Sequence, residues 1–90
     1  MKALIVTRLF FNEQVQCYEE GQDYTFINPS HVMTIESRPL DVLTYDEDLK
    51  TMLPRHVFTY KITLVGGTEI NCTVEDRIFF LERIAGESDV

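Results

Sequence analysis

The sequence predicts a small, mainly β domain of the α+β class. Its expected core is a strongly bent, five- to six-stranded antiparallel sheet, or a partly open barrel of the SH3 or Sm kind, followed by a helix. Three observations carry this. Phe58, Tyr60, Ile62 and Leu64 alternate with Thr59, Lys61 and Thr63, the period of a half-buried strand. After Gly66-Gly67, which suits a two-residue primed turn, the alternation resumes with Ile70, Cys72 and Val74 facing inward. The apolar period then changes to that of a helix, with Val74, Ile78, Leu81 and Ala85 as a stripe that Phe79, Phe80 and Ile84 widen.

The other elements follow in chain order. Lys2–Phe10 is apolar and β-branched and reads as a strand, with Leu4 and Val6 on one face and Ile5, Thr7 and Leu9 on the other. Gln14–Tyr18 and Asp23–Ile27 read as a hairpin turning through Glu19-Glu20-Gly21-Gln22. Asn28-Pro29-Ser30 is a turn. It leads into a short strand, His31–Ser37, with Met33 and Ile35 on one side, which Arg38-Pro39 ends. Residues 39–56 read as an irregular insertion. Thr44 and Glu47 have capping-box spacing, which allows a helix over Tyr45–Leu53 that Pro54 would stop. Thr73 and Asp76 have the same spacing at the start of the last helix, Arg83 suits its final turn, and Gly86 would terminate it. Residues 1–86 thus form one domain, and 87–90 a frayed tail.

Fifteen acidic residues against eight basic ones give a net charge of −7, and the basic residues form no run. Nucleic acid and anionic membrane are disfavoured as direct partners, because both are recognised through clustered Lys and Arg. No apolar run approaches the length of a membrane span, and Met1–Val6 is too short for the apolar part of a signal peptide. The expected location is the cytoplasm. Cys17 and Cys72 are too few for a disulfide scaffold and read as buried free thiols. His31 and His56 are isolated from each other and from both cysteines, so no metal site is expected. Asp41, Asp46, Glu47 and Asp48 lack the spacing of a calcium loop. Gly66-Gly67 has no following Lys-Ser or Lys-Thr that would make a phosphate loop.

One pattern extends over half to two-thirds of the chain. It runs Val6-Thr7-Arg8-Leu9, then Tyr24 through Asn28-Pro29 to Ile35-Glu36. It continues through Ile62 to Ile70 around Gly66-Gly67, and ends in Val74-Glu75-Asp76 before the helix. It resembles the small FlbD-type proteins of bacterial flagella and swarming motility, and similar short sequences occur in phages. The resemblance implies a small, cytoplasmic, non-enzymatic protein and offers no catalytic residues to carry over. The chain departs from the pattern at about Phe10–Gly21 and Pro39–His56.

With no nucleophile, base or metal constellation in view, the expectation is not an enzyme but an acidic protein-binding module, without cofactor, that modulates a protein partner, a basic one being favoured because opposite fields steer encounter. The residues expected to face that partner are Glu19, Glu20, Asp41, Tyr45, Asp46, Glu47, Asp48, Leu49, Met52 and Leu53. Two alternatives stand beside it. One is an acidic, phage-encoded inhibitor or DNA mimic occupying a basic groove of nucleic-acid machinery. The other is a homo-oligomer with a structural or small-ligand-binding role.

Overall fold

A computed structural model of the chain describes residues 3–75, 77 and 80–82. Five strands close into a barrel in the order β1 (Leu4–Asn12), β2 (Cys17–Ile27), β3 (Val32–Asp46), β4 (Thr51–Leu64) and β5 (Glu69–Thr73). The expected β-rich domain with one short helix is thus the architecture found. Neighbouring strands pair antiparallel, and β1 returns to β5 through Thr7↔Thr73 and Arg8↔Cys72. The exception is β2 with β3, which meet in one parallel bridge, Tyr18↔Val42, so the sheet is mixed rather than wholly antiparallel. None of the described helical residues forms a helix long and apolar enough to cross a membrane.

The core is Leu4, Val6, Ile27, Tyr60, Ile62, Ile70, Cys72 and Phe80, with Val32, Ile35, Leu64 and Val74 packed around it. Strand alternation delivers most of this set, since every second residue faces the barrel interior. Shifts of register account for the departures. Thr7 pairs with Tyr24 and Leu9 with Glu20, so Gly21-Gln22-Asp23 bulges opposite Arg8. The face of β1 changes there, and Leu9 is buried with Leu4 and Val6 rather than exposed with Ile5. A second shift between Val32 and Thr34 leaves Met33 exposed, away from Ile35. In β4 the expected alternation fails at Phe58. Thr59 is buried, its hydroxyl donating to the Arg38 carbonyl at 2.7 Å, while Phe58 lies on the surface.

The turns depend on short polar side chains that cap backbone N–H groups. Asn12 Oδ1 accepts from Gln14 N at 2.9 Å, Asn28 Oδ1 from Ser30 N at 3.0 Å, and Asp46 Oδ1 from Asp48 N and Leu49 N at 2.9 Å each. These caps correct the expected second hairpin. The chain turns at residues 13–16 after Asn12, not at Glu19–Gln22, and Cys17–Ile27 is one strand laid along β1. The turn after β4 is also wider than a two-residue loop. Gly67 N donates to the Leu64 carbonyl at 2.9 Å and Leu64 N to the Thr68 carbonyl at 2.8 Å, so Val65, Gly66 and Gly67 all lie inside it. Both glycines have the positive φ that other residues rarely adopt, 99° and 92°.

The largest correction concerns residues 39–56. They are neither irregular nor helical, and Arg38-Pro39 does not end a strand. β3 continues through Pro39↔Phe58 and on to Asp46↔Thr51, so β3 and β4 form a hairpin closed by a turn at residues 47–50. Pro39 and Pro54 are tolerated because each strand of a two-stranded arm has a free edge, where a missing N–H removes no ladder bond. A 15-residue strand rises about 50 Å, and the long axis of the molecule is 47 Å against 25 and 21 Å. The radius of gyration, 14.1 Å, exceeds the about 12 Å of a compact chain of this length. The hairpin therefore projects as an arm.

Phe80 closes the barrel, buried with its ring 5.0 Å from that of Tyr60. Arg77 fastens the helix from outside, with Nε donating to Tyr60 Oη at 2.9 Å and its guanidinium 4.5 Å over the Phe58 ring. Leu81 is exposed, so of these two residues Phe80 is the one that faces inward. The expectations for Asp76, Ile78, Phe79, Arg83, Ile84, Ala85, Gly86 and the 87–90 tail lie outside the described residues.

Candidate protein-interaction surface

The arm is held at both ends by polar contacts. At the root, Cys17 Sγ donates to the Asp41 carbonyl at 3.1 Å, and His56 Nδ1 lies 2.9 Å from Asp41 Oδ1 on the surface. At the tip, Asp46 caps the turn and its Oδ2 accepts from Arg55 Nη2 at 2.7 Å. The hydrogen bond from Leu49 N, supported by those from Asp48 N and Arg55, holds the Asp46 carboxyl below the usual carboxylate range against a partial loss of hydration. These contacts fix a hairpin that has little core of its own.

Its surface is apolar where a solvated loop would be polar. Tyr45 and Met52 are cross-strand partners and both are exposed, and Leu49 stands on the turn with 65% of its surface open. Large apolar side chains gathered on a projection are an uncommon use of surface and mark interaction sites. Glu47 and Asp48 precede Leu49 on the same turn and Lys50 follows it.

A groove of ≈ 420 Å³ lies along the arm between its root and its tip, lined by Glu19, Glu20, Gly21, Leu43, Thr44, Tyr45 and Met52. Beyond the Tyr18↔Val42 bridge, β2 and β3 run in the same sense with no further ladder pair between them. One wall is therefore Glu19–Gly21 and the other is Leu43–Tyr45. Glu19 Oε1 accepts from Asn12 Nδ2 at 3.0 Å and Glu20 Oε1 from Thr73 Oγ1 at 3.2 Å. Among the described residues neither carboxylate is matched by a Lys or Arg. The Thr44 hydroxyl oxygen is buried without a hydrogen-bond partner among the described residues.

Of the ten residues expected to face a partner, Glu19, Glu20, Tyr45 and Met52 converge on this groove. Leu49, Glu47 and Asp48 stand at the arm tip, Asp46 is occupied in capping it, and Asp41 is engaged by His56 at the root. Leu53 is half-buried opposite Thr44. Leu43, Thr44 and Gly21 were missed as wall residues. The run Val42-Leu43-Thr44-Tyr45, rich in β-forming types and mirrored by Met52–Phe58, was the signal that could have found them. Both cysteines are free and buried, and burial pushes the Cys72 thiol up to about 12. No group of three or more His, Cys, Asp or Glu residues fit to hold a metal ion occurs among the described residues. Comparison with protein-family models, curated proteins and solved structures finds no match to this chain.

Proposed function

We propose that the protein is a non-enzymatic, acidic protein-binding module that engages a protein partner through the β3–β4 arm and the groove beside it. The observation that supports this best is the exposed set Tyr45, Leu49 and Met52 on a projecting hairpin, beside a groove with acidic and apolar walls. Tyr and Met are over-represented in the desolvated centres of interfaces, and a charged rim around such a centre is the usual arrangement. The cytoplasm suits two free thiols, and the likeness to FlbD-type proteins points the same way.

The DNA-mimic reading is weaker on charge geometry. It needs free carboxylates spaced along one face, whereas Asp46 is committed to Arg55 and two backbone N–H groups, and Asp41 to His56. The test is a pull-down from host lysate with the wild-type chain and a Tyr45→Ala/Met52→Ala variant, each washed at low and high salt. A protein retained through high salt by the wild type and lost from the variant supports the module. Basic nucleic-acid enzymes released by salt and held equally by the variant would overturn it in favour of mimicry. An empty wild-type lane would also overturn it.

A further inference from the structure

The arm presents a face as well as a tip. Residues directly opposite each other in an antiparallel pair lie on the same side of it. Pro39, Asp41, Leu43 and Tyr45 therefore share one side of the arm with their partners on β4, among them Phe58, His56 and Met52. The other side holds Val42 and Thr59, both buried. The first side is bare, with Phe58 and Tyr45 each 59% exposed and Met52 50%. Pro39 and Pro54 interrupt the edges of β3 and β4, which disfavours an added strand at either edge and leaves the face as the surface for association. Each ring, about 200 Å² when fully covered, offers about 120 Å² here, and with the rest of the face the patch comes to roughly 600 Å². Two such patches would bury about 1,200 Å², where specific, stable interfaces begin.

Charge then selects the occupant. Residues 38–59 hold three basic residues, Arg38, Lys50 and Arg55, against four acidic ones, Asp41, Asp46, Glu47 and Asp48. The arm thus carries −1 of the chain's net −7, and −6 lies elsewhere. Asp41 is the one acidic residue on the bare face, and His56 is bonded to it at 2.9 Å. A face of this composition can meet its own kind without setting unpartnered like charges together, which a two-fold pairing requires. Ile5 opposite Phe26 is also exposed, but it lies on the barrel, where the negative charge is concentrated. We infer that the bare face of the arm binds the same face of a second copy of this chain, the two arms overlapping antiparallel as a small sandwich. Overlap from Pro39 to Tyr45 spans about 20 Å of strand, so the barrels stay at opposite ends of the pair, beyond the screening length of about 8 Å at physiological salt. This inference rests on the protein-binding reading and names the partner.

The test is sedimentation velocity of the purified full chain over a dilution series. A reversible monomer–dimer equilibrium is expected, and a monomer at every concentration overturns the inference. His56→Glu adds a second acid to each face and should weaken the dimer by about tenfold or more, whereas His56→Lys keeps a cation beside Asp41 and should leave it within about twofold. Equal dimerisation by the two variants overturns the inference. Should either variant melt lower, chemical shifts of the wild type are followed over the same dilution series. Tyr45, Met52 and Phe58 should move together with concentration, and movement confined to Ile5 and Phe26, or to Glu19 and Gly21, overturns the assignment to this face. A lysate protein other than this chain, captured by a monomeric wild type and lost from Tyr45→Ala/Met52→Ala, would leave the protein-binding reading standing and remove only this inference.

Discussion

The arm and the barrel should respond oppositely to loss of apolar side chains, and the contrast can be worked out from burial. Ile62 is fully buried, with Ile35 and Ile70 opposite it on the two flanking strands. Ile62→Ala removes three carbons from this position, worth about 2.4 kcal/mol of transfer free energy, and an imperfectly collapsed cavity raises the cost to about 3–4 kcal/mol. An unfolding entropy of about 2.1 cal/mol/K per residue over a chain of this length converts that to a fall of roughly 16–21 °C in melting temperature. Met52 is half-exposed and Leu49 two-thirds exposed. Their truncation to alanine forfeits only the covered fraction of about 2 kcal/mol each, or about 1.7 kcal/mol together and roughly 9 °C. The Leu49 N–H bond to Asp46 belongs to the backbone and survives.

The assay is thermal unfolding by circular dichroism at one protein concentration, combined with retention of the partner. If the arm is an interface, Met52→Ala/Leu49→Ala should lose about 1.4 kcal/mol or more of binding, tenfold in affinity, for its modest thermal cost. A thermal loss equal to that of Ile62→Ala would show that the arm residues are core and refute the surface assignment. Unchanged binding in a folded variant would refute the interface.

Three further outcomes follow from the same geometry. Lys50 has φ 52° at the end of the tip turn, a left-handed conformation that costs a side-chain-bearing residue about 1 kcal/mol, so Lys50→Gly should raise stability by roughly 0.5 kcal/mol in denaturant titration. Asp46 is held below its ordinary value, so its contribution is fully present above the unfolded-state pKa of about 3.9 and is lost as pH falls through the folded value. Chemical shifts of Asp48 and Leu49 amides followed on acidification should therefore move together, and Asp46→Asn should remove the transition. The Cys72 thiol is raised to about 12, so the folded chain keeps a proton that the unfolded chain releases from about pH 8.5 upward. Stability should fall above that pH with a slope of up to about 1.4 kcal/mol per unit, and Cys72→Val should flatten it. Thiol labelling at pH 8 that is as fast in the native chain as in denaturant would contradict the burial.

What could be read from the sequence depended on whether a segment's signal was local. Ile62, Ile70 and Cys72 alternate against a glycine-marked turn, so strand, partner and face all followed from adjacent residues. The β1 face changes at a bulge, and no local pattern announces that Gly21–Asp23 will oppose a single Arg8. At the tip two local signals competed. Thr44 and Glu47 had the spacing of a helix cap, but Asp46 makes three hydrogen bonds by closing a strand turn instead. Once it does, Thr44 must lie opposite Leu53, and the capping residue becomes part of a groove wall.

That exchange also explains why the partner-facing residues were partly legible. The exposed apolar residues of the segment were visible as a group whatever backbone carried them, because Tyr45, Leu49 and Met52 sit among charges in either conformation. Which of them meet was not visible. In a helix over Tyr45–Leu53, Tyr45 and Leu49 would share a face at i, i+4 and Met52 would follow at i+3. In the hairpin, Tyr45 faces Met52 directly and Leu49 is displaced to the turn. The groove exists only in the second case, because its far wall is β2, brought beside β3 by the single Tyr18↔Val42 bridge. That bridge is the one point at which β3 has a ladder partner on the side away from β4. A site of this kind is a product of closure, and it is composed of residues that look like ordinary strand and loop until two distant strands meet.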